Sequence, residues 1–309
     1  MAMKRFRVAG HSMAPTLQSG QEVVAVNTRD AQPGNLVVFE HPAQPGFWLI
    51  KRLADETGWV TSDNDDHDHT DSRTLGRIPP ESLLTVVERL DDQTFALGAE
   101  LLAGEDEHLA ALIDRWGLPE FWHRPPGFQT LVLLVLEQQV SLESGAAMYR
   151  RLAGLIGNVT AASVLSAGDE ALRSIGVTRQ KSGYLLGLAT RVAEGALDLD
   201  AMELATVDDA RAALLEIKGI GPWTADAYLL SASRRTDMWP VGDRALQVGA
   251  GEALGMASIP NEGELEILAE PWRPIRAVAA RLIWHAYLSE RGRVEPPNPT
   301  LVHEMAPDA

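Results

Sequence analysis

A glycine-punctuated turn and a carboxylate downstream of it are the first candidates for chemistry. The turn lies in LEIKGIGPWTADAYLL (215–230), where two glycines allow positive φ and Pro222 suits the first position of a helix. Backbone N–H groups beside a helix N-terminus form an anion site that suits a phosphate. Asp243, in DMWPVGDRAL (237–246), follows about twenty residues later, and a carboxylate can stabilise positive charge that develops in a reaction. A helix N-cap is the alternative role for Asp243, and Asp237 is the alternative carboxylate.

A serine and a lysine near the start of the chain form a second candidate site. Ser12 stands in the proline-limited turn GHSMAPTL (10–17), and Lys51 stands in the apolar segment FWLIKRL (47–53). A serine hydroxyl becomes a strong nucleophile when a base takes its proton. Burial lowers the pKa of a lysine, so that its neutral amine can act as that base. The sequence therefore predicts a catalytic pair wherever the fold brings the two side chains together.

The sequence has two regions with different hydrophobic patterns, and the elements that they predict must position these residues. In the first ninety residues, short apolar runs alternate with turn signals, which predicts a small, mostly β domain. The predicted strands are 21–26, 35–40, 47–53 and 58–62. After about residue 91, Ala and Leu recur at helical spacing, which predicts an all-α domain. The predicted helices are 96–115, 128–136, 142–156, 168–175, 180–196, 207–217, 223–233, 244–254, 262–270 and 272–290.

These two patterns predict a two-domain fold, and the change between them marks the domain boundary. We place a β domain at 1–91, a helical domain at 92–300 and a tail at 301–309, joined by the acidic stretch around residues 90–92. Asp208 is expected to cap the helix that follows it, and Gly219 to be the C′ glycine of that helix.

Composition excludes several kinds of site. The 309 residues include no cysteine, which excludes disulfides, thiolate metal sites and a cysteine nucleophile. No apolar run is long enough for a signal peptide or a membrane span, so we expect a cytoplasmic protein without a membrane partner. The net charge of −16 disfavours nucleic-acid binding driven by Lys and Arg. A phosphate site made of backbone N–H groups weakens that objection, because it needs little net positive charge.

The ordered motifs of residues 6–90 resemble Ser–Lys peptidases of the signal-peptidase type, most closely the small members without a membrane anchor that are associated with nickel superoxide dismutase maturation. The motifs are SMAPTL (12–17), the strand that ends in Lys51-Arg52, Ser62-Asp63-Asn64 and Asp71-Ser72-Arg73. The resemblance implies Ser12 as acyl nucleophile and Lys51 as general base. It also implies a supporting network of Asp71, Ser72 and Arg73. This chain departs from the family pattern at Ser62, where a glycine is usual.

The acidic segment DNDDHDHTD (63–71) could suggest a metal site. It lacks the central glycine of an EF-hand loop, and its two histidines are only two residues apart. We interpret it as a solvated acidic loop and predict no metal site; nickel binding by His67 and His69 is the alternative.

Five ordered motifs between about residues 100 and 290 resemble helix-hairpin-helix DNA glycosylases of the 3-methyladenine DNA glycosylase II group. They are LEQQVS (136–141), LRSIGVTRQKSGYL (172–185), the glycine turn, the Asp243 segment and EPWRPIRAVAARLIW (270–284). The resemblance implies that Asp243 is catalytic and that Trp223 and Trp284 line a pocket for a base flipped out of the duplex. It implies DNA contacts by Gln139, Gly219, Ile220, Gly221, Thr224 and Arg276. Gln139 would fill the gap that the flipped base leaves.

Trp223 has a further implication by resemblance. Bifunctional relatives carry a Schiff-base lysine at this position, so a tryptophan implies a monofunctional glycosylase without lyase activity. No cofactor is implied beyond a possible monovalent cation at the hairpin. Trp272 is expected to be a core residue.

We therefore expect a base-excision-repair enzyme that hydrolyses the N-glycosidic bond of alkylated purines in double-stranded DNA. It would be fused to a Ser–Lys peptidase domain with a peptide substrate. One alternative is that the chain acts mainly as a serine peptidase, with the helical domain docking it on DNA. Others are self-cleavage within FALGAELLAG (95–104), and a β domain whose serine and lysine no longer catalyse.

Overall fold

The N-terminal part forms a six-stranded antiparallel sheet. The computed structural model describes residues 2–27, 31–66 and 70–301. The strands are β1 (Met3–Arg7), β2 (Glu22–Val26), β3 (Leu36–Glu40), β4 (Trp48–Leu53), β5 (Val60–Thr61) and β6 (Leu84–Val86), in the order β1-β2-β6-β3-β4-β5. The four predicted strands are confirmed. Strands β1 and β6 were missed because MKRFR is mostly charged and LTV has only three residues.

The register of β3 and β4 decides the surroundings of Lys51. Lys51 lies opposite Val37, and residues opposite each other in a sheet share a face. Val37 and Leu53 belong to one buried apolar cluster on that face. The lysine side chain is therefore held against an apolar layer, and the residue is only 2% exposed.

The remainder of the described chain is helical apart from its connections. A short helix, α1 (Ser72–Leu75), belongs to the N-terminal part. The others are α2 (Asp92–Glu105), α3 (Glu107–Trp116), α4 (Phe128–Glu137), α5 (Leu142–Ile156), α6 (Ala161–Ser174), α7 (Arg179–Ala193), α8 (Leu199–Leu204), α9 (Val207–Leu215), α10 (Pro222–Ser231), α11 (Arg244–Ala253), α12 (Glu262–Leu268) and α13 (Arg276–Glu290). The predicted order of a small, mostly β part followed by an all-α part is confirmed.

Several helix predictions need correction. The helix expected over 168–175 begins at Ala161, because Thr160 is its N-cap and accepts the backbone N–H of Ser163. The single helix expected over 96–115 is two helices, because Asp106 accepts the backbone N–H groups of His108 and Leu109 and starts α3. The last long helix begins at Arg276 rather than at 272, since Pro274 disfavours the helical conformation of the residue before it, and Arg273 is extended with ψ 145°. The short helix α8 was not predicted.

The expected ends of α9 were also wrong. Thr206, not Asp208, is the N-cap: its hydroxyl accepts the backbone N–H of Asp209, and Asp208 lies in the first turn. The helix ends at Leu215, so Gly219 lies several residues beyond it, in the turn that leads to α10.

The two parts of the chain share one hydrophobic core. Met3, Val24 and Val26 of the sheet belong to the same buried cluster as Phe95 of α2 and Val278 of α13. Arg5 adds an ion pair with Glu105 at 2.9 Å. The sheet is therefore packed directly onto the helices rather than joined to them only by a tether.

The segment proposed for self-cleavage lies inside this interface. Residues 95–104 fall within α2, where Phe95, Ala99 and Leu102 are buried. The connection before it is also fixed, because the N–H of Leu90 donates to the carbonyl of Arg234 at 2.8 Å. A buried helix does not offer the extended backbone that a peptidase needs, so self-cleavage at this segment does not fit the folded chain.

Candidate functional site

Asp243 begins helix α11 and receives three hydrogen bonds. Its Oδ1 accepts the backbone N–H of Leu246 at 2.8 Å, which is the N-cap contact. Its Oδ2 accepts Nε1 of Trp223 at 2.9 Å, and Nε1 of Trp284 donates to Oδ1 at 3.3 Å. The half-buried carboxylate of Asp243 is thus both the N-cap of α11 and part of the candidate site, and these hydrogen bonds fix its orientation.

The two tryptophans and Asp243 line an open cleft. Trp122, which no sequence motif singled out, lines it as well and packs edge-on against Trp284 with ring centroids 5.8 Å apart. Aliphatic side chains, including Leu134 and Leu246, complete much of the wall. Such a cleft suits a flat, electron-poor ring, because aromatic faces attract positive charge.

The two glycines of the hairpin between α9 and α10 have different surroundings. Gly219 has φ +98°, and a Cβ there would stand 2.2 Å from the ring of Tyr184. Gly221 has φ −90° as N-cap of α10, is exposed, and would have nothing within 4 Å of a Cβ. The side chain of Ile220 is buried. The hairpin thus presents backbone at Gly221, directly ahead of a helix N-terminus.

Thr224 is part of the support of the hairpin. Its side chain is buried, and its hydroxyl accepts Nε2 of Gln138 at 2.9 Å. The same Nε2 donates to the carbonyl of Gly219 at 2.8 Å. The side chain of Thr224 is therefore not accessible to a binding partner in this conformation. Its backbone, in the first turn of α10, lies at the helix N-terminus.

Gln139 stands exposed on a tight turn after α4. Its φ is +58°, in the left-handed region. Lys181 of α7 fixes the turn from beneath by donating to the carbonyls of Leu136 and Gln138 at 2.7 and 2.8 Å. Burial lowers the pKa of Lys181. Gln138 and Lys181 lay in motifs of the sequence, but their contacts depend on the approach of three helices and could not be inferred from it.

Arg276 and Asp237 lie outside the cleft lining. Nε of Arg276 donates to Oδ1 of Asp237 at 2.8 Å, and Nη1 donates to Glu266 at 2.7 Å. Asp237 also receives Nη1 of Arg273 at 2.5 Å. Arg276 is 8% exposed, so its expected contact with a partner is not available in this conformation. Trp272 is a core residue as expected, 2% exposed.

The N-terminal sheet brings Ser12 and Lys51 into contact. Nζ of Lys51 donates to Oγ of Ser12 at 2.7 Å. Burial lowers the pKa of Lys51, although Asp71 and Asp63 oppose that shift. Ser12 itself is only half-buried. The geometry is that of a serine hydroxyl with a base in hydrogen-bond range.

The predicted support residues contact one another and the end of the sheet, and Asp71 and Arg73 act on Lys51 through their charges. Burial disfavours the charge of Asp71, but hydrogen bonds from Arg73 and from the backbone of Arg73 and Ser62 outweigh it and lower its pKa. Nη2 of Arg73 lies 2.6 Å from Oδ2 of Asp71. Ser72 accepts the backbone N–H of Val60 through its hydroxyl at 2.8 Å. Asp71 thus ties α1 to the end of the sheet.

Asp63 and Asn64 hold the loop that carries Ser12. The N–H of Asn64 donates to the carbonyl of Ser12 at 3.0 Å, and its side chain donates to the carbonyl of His11. Asp63 pairs with Arg52 at 2.5 Å and accepts the hydroxyl of Thr16. The departure at Ser62 leaves these contacts in place.

Within residues 2–27, 31–66 and 70–301, no three His, Asp or Glu side chains converge as a metal site. His67 and His69 lie outside the described residues, as do residues 302–309 of the predicted tail. No helix in the described part of the chain has the length and apolar character needed to cross a membrane.

Comparison with known proteins finds two family models that match separate parts of the chain. Residues 132–274 match the family described as HhH-GPD superfamily base excision DNA repair protein. Residues 1–58 match the signal peptidase family, peptidase S26.

Individual relatives match parts of the chain. A DNA-3-methyladenine glycosylase of Bacillus subtilis (strain 168) is 30% identical over 113 residues, which is 37% of this chain and 37% of that protein. The chain therefore spans less than two fifths of that relative in the alignment. A crystal structure of DNA-3-methyladenine glycosidase from Bacillus halodurans is 29% identical with a TM-score of 0.56, covering 67% of this chain and 95% of that one.

A third similarity concerns the fold alone. The Schizosaccharomyces pombe 3-methyladenine DNA glycosylase, solved in complex with abasic DNA, is 23% identical with a TM-score of 0.55 and covers 60% of this chain and 94% of that one. The chain thus carries an HhH-GPD domain, is homologous to 3-methyladenine DNA glycosylases, and has a signal-peptidase-like segment at its N-terminus.

Proposed function

We propose that the helical part is a monofunctional DNA glycosylase that releases alkylated purines of the 3-methyladenine type from double-stranded DNA. The observation that carries this proposal is the Asp243 carboxylate, held by the indoles of Trp223 and Trp284 at the wall of an aromatic cleft. The activity named for the Bacillus relatives supports it.

The reaction follows from the types of group present. A flipped, alkylated purine would stack against the tryptophans, with its sugar facing Asp243. As the C1′–N bond breaks, its electron pair leaves with the base and neutralises the positive charge of that base. Positive charge develops at the sugar instead, and the carboxylate stabilises it. A water oxygen then bonds to C1′ and releases a proton, which leaves an abasic site.

DNA would be held mainly through backbone groups. Gly219 and Gly221 would offer N–H groups to a phosphate at the N-terminus of α10, together with the backbone of Thr224. The N–H of Ile220 donates to the carbonyl of Ile217 at 2.9 Å, so Ile220 would contribute by fixing the turn between the two glycines. Gln139, exposed on its fixed turn, would enter the gap in the duplex. Because Trp223 stands at the position of the Schiff-base lysine, the reaction would end at base release. Phosphate binding through backbone N–H groups suits an acidic protein. We place the activity in the cytoplasm.

A monovalent cation at the hairpin is part of this proposal. The carbonyl of Gly219 accepts Gln138, and that of Gly221 accepts the N–H of Ala225. Each carbonyl oxygen has a second lone pair, so both are compatible with a cation that takes oxygen ligands. Bound there, the ion would add positive charge beside a phosphate. Comparing DNA affinity in potassium with that in a bulky tetraalkylammonium salt tests this.

Replacing Asp243 by Asn tests the catalytic assignment. Asn and Asp are comparable N-caps, so Asp243→Asn should keep helix α11 while removing the charge. Single-turnover base release from methylated DNA should fall about a hundredfold or more, with DNA binding retained. Release at the wild-type rate would overturn the assignment.

The N-terminal part supports a second candidate activity, that of a serine endopeptidase. The specific observation is the 2.7 Å hydrogen bond from Nζ of Lys51 to Oγ of Ser12. Ser12 would attack a peptide carbonyl, Lys51 would take its proton, and the backbone N–H of Ser12 would help to stabilise the oxyanion. Mass spectrometry after treatment with a serine-acylating probe should find the adduct on Ser12 and none in Ser12→Ala. Base release by Ser12→Ala at the wild-type rate would show that the glycosylase does not depend on this site.

A further inference from the structure

A buried ion pair forms part of the wall of the aromatic cleft. Nη1 and Nη2 of Arg124 donate to the two carboxylate oxygens of Glu137 at 2.8 and 3.1 Å. The two side chains are only 11% and 5% exposed. Both line the same cleft as Asp243 and the tryptophans. Glu137 is the last residue of α4, whose other residues from Thr130 onward are buried and mostly apolar.

The packing around Glu137 is arranged for this side chain. Gly145 of α5 lies against it, and a Cβ at residue 145 would stand 2.5 Å from Cγ of Glu137. Any larger residue at 145 would displace the carboxylate. A buried ion pair is seldom more stabilising than an apolar pair of similar volume. Its place in a cleft therefore indicates a role toward what the cleft binds.

The charges of the cleft favour a cation. Its lining contains the carboxylates of Asp243 and Glu137 and the guanidinium of Arg124, an excess of one negative charge among aromatic and aliphatic walls. Charges act more strongly in such water-poor surroundings than in bulk solvent. A purine nucleoside alkylated at N3 or N7 carries a positive charge on its ring system, and an ordinary purine does not.

We propose that Glu137 is a specificity-determining residue that makes the cleft select positively charged purines over neutral ones, with Arg124 as its positioning partner. The inference rests on the proposed function and names the feature of the substrate that is read. Arg124 grips both oxygens of Glu137 and so fixes the plane of the carboxylate. Each oxygen retains a lone pair that can accept an exocyclic amino group of a purine.

Nucleoside binding to the intact chain tests this without requiring turnover. Three tryptophans line the cleft, so ligands should quench their fluorescence. N7-methylguanosine, in slightly acidic buffer where it is a cation, should bind wild type more tightly than guanosine does. Glu137→Gln should reduce that preference about tenfold, since hydrogen bonds to charged groups and their Coulomb attraction are of that size.

A second ion pair with a buried carboxylate, but with a more exposed arginine, provides the control. Asp226 of α10 pairs with Arg211 at 2.6 Å, and its side chain is 8% exposed, but neither residue lines the cleft. Asp226→Asn should leave the preference for the cation unchanged. An unchanged preference in Glu137→Gln, or an equal loss in Asp226→Asn, would overturn the inference.

Two further measurements keep the inference separate from folding and from the proposed function. If Glu137→Gln does not fold, Arg124→Lys keeps the charge but loses the bidentate grip; it should reduce the preference severalfold, and an unchanged preference overturns the inference. Absence of base release by wild type would refute the proposed glycosylase, whereas the binding preference would still decide the role of Glu137.

Discussion

The indole Nε1 of Trp223 lies 2.9 Å from Oδ2 of Asp243, so a wall of the cleft and its carboxylate form one hydrogen-bonded unit. Trp223 stands in the first turn of α10, and Asp243 is the N-cap of α11. The N-terminal ends of two helices therefore meet at the cleft. The hairpin that precedes Trp223 is joined through this one side chain to the candidate site of chemistry.

Replacing Trp223 by Phe should separate these two roles of the indole. Trp223→Phe keeps an aromatic wall but removes the N–H that orients Asp243. We expect single-turnover base release to fall about tenfold, as for the loss of one hydrogen bond to a charged group, while DNA affinity changes less than about twofold.

Trp239→Phe is the matched control for that experiment. In wild type, Nε1 of Trp239 donates to the carbonyl of Leu265 at 3.1 Å within the core, and Trp239 does not line the cleft. The Trp239→Phe variant should have a lower melting temperature but an unchanged rate of base release by the folded protein. Equal loss of release in both variants would contradict the role given to the Trp223–Asp243 bond.

Much of the fold could be predicted from the sequence because local patterns determine it. The alternation of apolar and turn residues predicted four strands, and the spacing of Ala and Leu predicted most helices. Strand β6 could not be predicted, since three residues such as LTV carry no period, and it forms only because β2 and β3 flank it. The split at Asp106 was missed because an apolar period continues on both sides of it.

The sequence could not predict those contacts of the candidate sites that depend on packing between elements. Asp243 and Trp223 stood in ordered motifs, and their contact with each other was a consequence of where two helices begin. Trp122 and Arg124 lie in an irregular segment without a motif, and only the approach of α4 and α13 brings them to the cleft. The burial of Arg276 was equally hidden, because its partners Asp237 and Glu266 come from other elements.

The two hairpin glycines should respond differently to the same substitution. Gly219→Ala places a methyl group against Tyr184 at positive φ, so we expect a loss of about 2 kcal/mol or more in the free energy of unfolding. Gly221→Ala has space for its methyl group and should keep the melting temperature. It should nevertheless weaken DNA binding about tenfold, because the methyl group would keep a phosphate from the backbone N–H groups.

Thermal melting and fluorescence anisotropy with a labelled duplex distinguish these outcomes. A Gly221→Ala variant that binds DNA as wild type does would show that the hairpin backbone is not the phosphate site. Gly154→Ala, in α5 with nothing within 4 Å of the added methyl group, is a control that should leave DNA affinity unchanged and raise the melting temperature slightly, since alanine favours a helix over glycine.

Removing the N-terminal sheet should destabilise the helical part. A chain of residues 91–309 loses Met3, Val24 and Val26 from the core that they share with Phe95 and Val278. We expect its melting temperature to fall by about 10 °C or more relative to the intact chain, since each of these buried apolar side chains stabilises by about 1.5–3 kcal/mol. Met13→Ala, within a cluster confined to the sheet, should leave the unfolding of the helical part unchanged. An undiminished melting temperature in the truncated chain would mean that the shared core does not couple the two parts.

The rate at which Ser12 is acylated should rise with pH. Lys51 must be neutral to take the serine proton, and burial lowers its pKa below the ordinary 10.5. The midpoint of the rate profile should therefore lie below 10.5. The unfolded chain binds a proton at this site more tightly than the folded chain, so the stability of the sheet should also rise with pH between the two pKa values.

Lys51→Met should abolish acylation, whereas Lys4→Met, which removes an exposed lysine over Trp48, should leave the profile unchanged. A midpoint at or above 10.5, or equal acylation of Lys51→Met, would show that Lys51 is not the base.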